Sequence, residues 1–281
     1  MTVTSIAEAL SVEGLSVTYH GSPDATPALR DVTFTVPVGQ SIGVIGESGS
    51  GKTTLAMTLA GFEVAAGARV SGGSFTVLGK RYEKPTGKQR FVLPTRRPGV
   101  SMIFQDAMSS LDPLAAVSVQ AKRVLASQGI KGREAADTVR SALLEVGIGD
   151  PERVEKLHPY EISGGMRQRV MVAVALLSKP KLLIADEPTS ALDVGMTALS
   201  MDLISATCKS HGITLFLVTH DLHVAQRYAD WLLVLRAGQV VEFGRTEDVS
   251  ARPRSAYARE LFACVPDLRS YTHSELTVVA S

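Results

Sequence analysis

Nine residues, GESGSGKTT at Gly46–Thr54, constrain the fold more than any other stretch of the chain. They follow a short apolar run, Ser41–Ile45, and lead into Lys52–Gly61, which reads as a helix. A glycine-rich turn between a buried-type strand and a helix is the setting that the phosphate-loop pattern G-x-x-x-x-G-K-[ST] requires. Gly46, Gly51, Lys52 and Thr53 stand in its register. Glycines allow several backbone N–H groups to converge on one anion, and the helix N-terminus adds partial positive charge. Gly46, Glu47, Ser48, Gly49, Ser50, Gly51, Lys52, Thr53 and Thr54 are therefore expected to hold a nucleotide. Lys52 is expected to reach the β and γ phosphates, and the Thr53 hydroxyl to ligate Mg²⁺.

The rest of the chain supplies strands and helices in alternation. Val12–Tyr19 and Asp31–Val36 alternate apolar and polar residues, as half-exposed antiparallel strands do. Gly73–Leu78 is a further alternating strand, and Val100–Phe104 is of buried type. Helical spacing dominates from Val117 to Gly147, with a loop near Gly129–Gly132, and returns at Gly164–Ser178. These helices interrupt the strand series and predict a separate lobe. Leu182–Ala185, Leu215–Val218, Leu232–Leu235 and Val240–Phe243 are short apolar strands, with a helix at Gly195–Ser210 between the first two. The pattern predicts an α/β fold with a largely parallel sheet covered on both faces. Gly79–Gly99 reads as an irregular basic loop, open to solvent or to a partner or lipid headgroups.

With 281 residues, of which 45% are hydrophobic, the chain suits one large α/β domain or one domain with a modest second lobe. Its formal charge of +1 makes no global electrostatic case for nucleic acid. Cys208 and Cys264 are far apart, which fits a reducing compartment rather than a disulfide framework. No run approaches the roughly 18 apolar residues of a spanning helix. The N-terminus lacks the basic and apolar regions of a secretion signal. The chain is expected to be soluble and to act at a membrane only through a partner.

Two further segments carry chemistry. Leu182–Glu187, LLIADE, is an apolar strand that ends in two carboxylates. Asp186 is expected at the carboxyl edge of the sheet, suited to Mg²⁺, and Glu187 beside it can polarise an attacking water. Ile162–Arg169, ISGGMRQR, places Ser163, Gly164 and Gly165 at a helix start, a second anion-binding nest. One nucleotide needs one nest per subunit, so the second points to the nucleotide of another subunit.

With these three segments the sequence resembles the ABC ATPase family, whose signature is LSGGQ-like; here Ile162 replaces leucine and Met166 replaces glutamine. The resemblance covers nearly the whole chain. It implies a P-loop fold of ABC type: a mostly parallel core sheet, an antiparallel β subdomain and a helical lobe. It places the ATPase domain at 10–250, the lobe at about 107–180, and a C-terminal tail at 251–281. Tyr19 matches the aromatic that stacks on adenine, against the alternative of a tyrosine packed on its sheet. Gln105 in IFQD matches the glutamine that contacts Mg²⁺ and links sheet to lobe. Ser190–Asp193, SALD, matches the segment that crosses to the partner subunit, ending in Asp193. His220 in VTHDL matches the histidine that contacts the γ-phosphate. The resemblance thus implies Glu187, His220 and Lys52 as catalytic, and Thr53, Gln105 and Asp186 as metal-binding.

Gln105–Leu114, QDAMSSLDPL, and His158–Glu161, HPYE, resemble the dipeptide, oligopeptide and nickel transporter branch. So does the tail RPRSAYARELFACVP, in which Tyr257, Arg259, Leu261 and Pro266 keep that branch's pattern. Cys264 alone cannot ligate the iron–sulfur cluster some members carry, so none is expected. The resemblance implies ATP and Mg²⁺ as ligands and a peripheral place on the cytoplasmic face of a membrane. The implied partners are permease subunits, a second ATPase subunit (self or paralogue) and, indirectly, a solute-binding protein. The implied cargo is a peptide or related small solute; a nickel or metallophore transporter and a soluble ABC mechanoenzyme are the other readings. A permease helix is expected to dock near Gln105–Leu114, so that bulky or charged changes at Ala107 or Leu111 uncouple hydrolysis from transport.

Overall fold

Hydrophobic alternation drives the first strands together. In the computed structural model, which describes residues 7–19, 27–62, 67–83, 97–105, 111–190 and 193–263, β1 (Glu8–Tyr19) pairs antiparallel with β2 (Leu29–Pro37), Val12 opposite Phe34. On its other side β1 pairs antiparallel with β4 (Ala68–Val77), which carries β5 (Lys80–Glu83) at the edge. Together they form a four-stranded sheet in the order β2-β1-β4-β5.

The second sheet has six strands in the order β10-β9-β3-β8-β7-β6. β3 (Ser41–Ile45), β6 (Val100–Ile103), β7 (Leu182–Asp186), β8 (Thr214–Val218) and β9 (Trp231–Arg236) run parallel, and β10 (Gln239–Arg245) closes the edge antiparallel to β9. β3, β7 and β8 are buried along their whole length, as a sheet covered on both faces requires. The predicted fold class is borne out.

One core lies between the sheets. Leu10, Leu15 and Phe34 meet Ile42, Val44 and Phe216 there, with Leu55 and Leu59 of α1 (Lys52–Ala60). A second core covers the other face of the parallel sheet. It unites Leu183, Leu215 and Leu217 with the helical lobe: α2 (Val117–Ala126), α3 (Gly132–Glu145), α4 (Pro151–Val154) and α5 (Gly164–Leu176). Helix α6 (Val194–Ser210) adds Met201 and Ile204 to it. A third core holds α7 (Leu222–Tyr228), α8 (Thr246–Ala251) and α9 (Ala256–Ala263) against Ile45, Leu232 and Val234.

Two expectations are corrected. The basic stretch Gly79–Gly99 is not irregular at its start, because Lys80–Glu83 pairs with β4. Its charged sequence hid an edge strand, where charge is favoured because it discourages further pairing. Nor is Arg97, near its end, solvated. Its guanidinium lies 4.4 Å from the Tyr82 ring centroid and 4.8 Å from that of Phe75, and it donates to the Leu59 carbonyl. The second correction concerns Leu111. It is 2% exposed and packs in the core of the helical lobe, whereas Leu114 is 88% exposed. Leu111 is thus a core residue, and among the described residues of this segment Leu114 is an exposed apolar side chain. Ala107 and the rest of 106–110, Ala191 and Leu192 of SALD, Cys264 and Pro266 lie outside the described residues. Among the described residues, no helix is long and apolar enough to cross a membrane.

Candidate functional site

The carboxyl ends of the parallel strands converge on one cleft. β3 delivers its backbone into the glycine loop, and Gly51 precedes α1 with a left-handed φ of 103°. A Cβ at Gly51 would stand 2.7 Å from the Ala28 carbonyl oxygen and 2.8 Å from Leu29 Cδ2, so glycine is required there for both conformation and space. The loop is tied to the sheet edge: Gly238 donates its N–H to the Ser50 carbonyl at 3.0 Å. Ser50 Oγ is itself buried with no hydrogen-bond partner among the described residues.

Lys52 is 6% exposed, and its Nζ donates to the carbonyls of Gly46 at 2.7 Å and Glu47 at 2.9 Å. Burial pushes its ammonium below the usual lysine range, while Glu187 and Asp186 pull it back up. Asp186, at the end of β7, shows the opposite sign: burial raises its carboxyl above the usual range, and the hydrogen bond from Thr53 works against that. Thr53 Oγ1 lies 3.4 Å from Asp186 Oδ1. The loop threonine and the strand-end aspartate are thus adjacent, as ligation of one cation by both would need.

Glu187 follows at φ 47°, a left-handed conformation that is costly for a residue with a Cβ. Its N–H is held by the Val218 carbonyl at 2.9 Å. Its Oε2 accepts from Gln105 Nε2 at 3.2 Å and lies 3.3 Å from His220 Nδ1. The Gln105 carbonyl accepts from Ser190 Oγ at 3.1 Å, which ties the end of β6 to the turn after β7.

Tyr19 reaches the same place from the antiparallel sheet; its hydroxyl is 2.9 Å from Thr54 Oγ1. The cleft of about 550 Å³ is lined by Tyr19, Ser48, Gly49, Gly51, Lys52, Thr53, Thr54, Gln105, Glu187 and His220. Its remaining lining residue, Ala28, was missed by sequence reasoning because alanine carries no chemical signal.

Ser163, Gly164, Gly165 and Asp193 do not line this cleft. Ser163 caps α5, its side chain accepting from Met166 N–H at 3.3 Å, and remains exposed. Beside it Asp193 caps α6, accepting from Met196 N–H at 2.8 Å. A Cβ on Gly165 would stand 2.4 Å from Met196 Cε, so the two helix starts are neighbours. The chain therefore presents two glycine-containing helix starts at separate places: one within the cleft, before α1, and one outside it, at the start of α5.

Residues 29–190 match the pattern of the family described as ABC transporter. The chain is 39% identical over 267 residues to the Peptidoglycan transport ATP-binding protein YejF of Agrobacterium fabrum, covering 95% of this chain but 48% of that protein. It thus spans about half the length of that relative. It is 39% identical over 270 residues to the Oligopeptide transport ATP-binding protein OppD of Salmonella typhimurium, covering 96% of this chain and 79% of that one. Among solved structures, cbiO1 from Clostridium perfringens, part of the ABC transporter complex cbiONQ, superposes with a TM-score of 0.71. It shares 27% identity and covers 93% of this chain and 97% of its own.

Proposed function

Because the chain belongs to the ABC transporter family of ATP-binding subunits, we propose that it binds and hydrolyses ATP between two such subunits and thereby drives a permease that imports peptides or related small solutes. One observation carries the proposal. Lys52, Thr53, Gln105, Glu187 and His220, groups suited to gripping a triphosphate and directing a water at it, line one cleft, while the exposed Ser163 and the two glycines after it lie outside that cleft on the same chain. The nest of one subunit then completes the cleft of another.

In this reading Tyr19 supports the adenine ring and Lys52 contacts the β and γ phosphates. The Glu187 carboxylate orients the attacking water and accepts its proton, with Gln105 and His220 fixing the carboxylate from two sides. The donor set fits Mg²⁺, which binds through few protein oxygens plus phosphate oxygens: Thr53, Asp186 and the Gln105 side chain would hold it. Bound there, it would neutralise phosphate charge. ATP favours the closed pair through contacts that only the closed pair makes, and hydrolysis removes them.

The peptide reading is supported by the relative named for oligopeptide transport and by the resemblance of the turn sequence His158–Glu161 to that branch. In that turn Glu161 Oε2 accepts from the His158 N–H at 2.7 Å, and the His158 hydrogen bonds hold the Glu161 carboxyl below its usual range. A solute-binding protein would deliver cargo to the permease. Association with the membrane would be peripheral, on the cytoplasmic face.

The composite site is tested by sedimentation of the full chain with ATP. In a Glu187→Gln background the chain should sediment as a dimer with ATP and as a monomer without it. Adding Gly164→Asp puts a carboxylate beside the phosphates, and the chain should then stay monomeric while still binding ATP. Dimerisation of that double variant would refute the shared site. The docking surface has its own test. In cells that make the permease, Leu114→Asp should shift most of the protein from the membrane to the soluble fraction with ATP affinity unchanged, and unaltered membrane retention would show that Leu114 does not face the permease.

A further inference from the structure

The segment after β10 resembles a branch tail in sequence, yet in the fold its helix reaches the phosphate loop. Glu242, buried in the middle of β10, accepts from the backbone N–H groups of Arg254 at 2.9 Å and Ser255 at 2.8 Å. Ser255 Oγ accepts from Ala258 N–H at 3.0 Å, capping the first turn of α9. Arg259 donates back to the Arg254 carbonyl at 2.7 Å. The start of α9 is therefore fixed to the sheet edge from both sides. Tyr257 then enters the third core, 6% exposed, with the Arg236 guanidinium 4.7 Å from its ring centroid.

The Tyr257 hydroxyl emerges behind the loop, where it accepts the Glu47 N–H at 3.1 Å. The two carbonyls that receive Lys52 Nζ are those of Gly46 and Glu47, the units flanking this N–H. At the same place a Cβ on Gly46 would stand 2.1 Å from the Leu235 carbonyl oxygen, so the loop entry is pressed against β9. The Glu47 unit is thus held by the sheet, by Lys52 and by the tail. Of these, the tail's hold depends on one phenolic oxygen.

We propose that Tyr257 is a positioning residue of the nucleotide site: its hydroxyl fixes the Glu47 peptide so that Lys52 and the N–H groups after it are preset for the phosphates. The tail is thereby part of the nucleotide site rather than an appendage to it. A loop freed from this bond shares its population among conformations that do not bind, which weakens apparent affinity by the competent fraction. The chemistry at Glu187 is untouched. The signature is therefore a rise in KM and Kd at nearly constant kcat, which a purely structural aromatic would not produce.

The inference rests on the ATP reading of the cleft, and the test separates the two. Kd for a fluorescent ATP analogue, steady-state kinetics and thermal melting are measured on the full chain and on Tyr257→Phe, which keeps the ring and its Arg236 contact. Losing one hydrogen bond should raise Kd and KM together about three- to tenfold, with kcat within about twofold and melting lowered by no more than about 4 °C. Tyr257→Leu, which also loses the ring, should add a fall in melting temperature. An unchanged Kd in Tyr257→Phe overturns the inference, and so does a fall in kcat as large as the rise in Kd. A wild-type chain that binds no ATP overturns the nucleotide reading itself.

Discussion

Glu187→Gln should lower steady-state ATP hydrolysis about 10²–10⁴-fold, the usual effect of removing a positioned proton acceptor, and leave ATP bound. The substitution keeps shape and backbone conformation. This matters because Glu187 occupies φ 47°, where a change of shape would confuse strain with chemistry. The amide oxygen can still accept from Gln105 Nε2, now 3.2 Å from Oε2, so the local geometry persists. What disappears is the negative charge and its capacity to take a proton from water. Single-turnover and steady-state hydrolysis of labelled ATP, with nucleotide retention on the protein, give the measurement. Turnover at the wild-type rate would remove Glu187 from its role and make His220 the next candidate base to test among the groups lining the cleft.

Gly51→Ala should weaken nucleotide binding at least about tenfold. The new methyl group faces the Ala28 carbonyl oxygen at 2.7 Å, a backbone atom that cannot swing aside, at a φ of 103° that alanine rarely adopts. Strain of about 2 kcal/mol is expected, which lowers the melting temperature by about 4–8 °C in a domain of this size. The chain can relieve it by moving the start of α1, and Lys52 and Thr53 move with it. A shift of about 1.4 kcal/mol in the bound state alone costs tenfold in affinity, so ATP binding should fall at least about tenfold. Isothermal titration and thermal unfolding check both effects. Unchanged affinity would show that the loop tolerates a side chain there and that the close approach does not shape the site.

The site was legible where its residues are neighbours in the chain. Gly46–Thr54 carries its own context, a strand before and a helix after, because phosphate binding by backbone N–H groups needs that succession. LLIADE is legible for a related reason: an apolar strand ending in two carboxylates places both at the edge where ligands of parallel sheets bind. Tyr19, Gln105 and His220 carried no local signal of comparable strength; the family resemblance picked them out, and the fold brings them to one cleft. Edge strand β5 was illegible because one apolar residue among charges gives no period to read. Leu111 was misread because exposure is decided by which helices close over a position, and a motif does not encode that.

By itself the sequence determined the α/β class, most of the order of strands and helices, and the residue types expected at a nucleotide site. These follow from short-range rules, since periodicity and turn chemistry act over a few residues. Only the tertiary structure decided that Leu111 is core while Leu114 is open, that Arg97 lies against Phe75 and Tyr82, and that the nest at Ser163 stands outside the cleft. It alone brought the Tyr257 hydroxyl to Glu47 across 210 positions of sequence. The physical reason is common to all four. Each depends on packing between elements distant in the chain, where one buried hydrogen bond or ring contact is set by shape and burial, neither of which leaves a periodic trace in the order of residues.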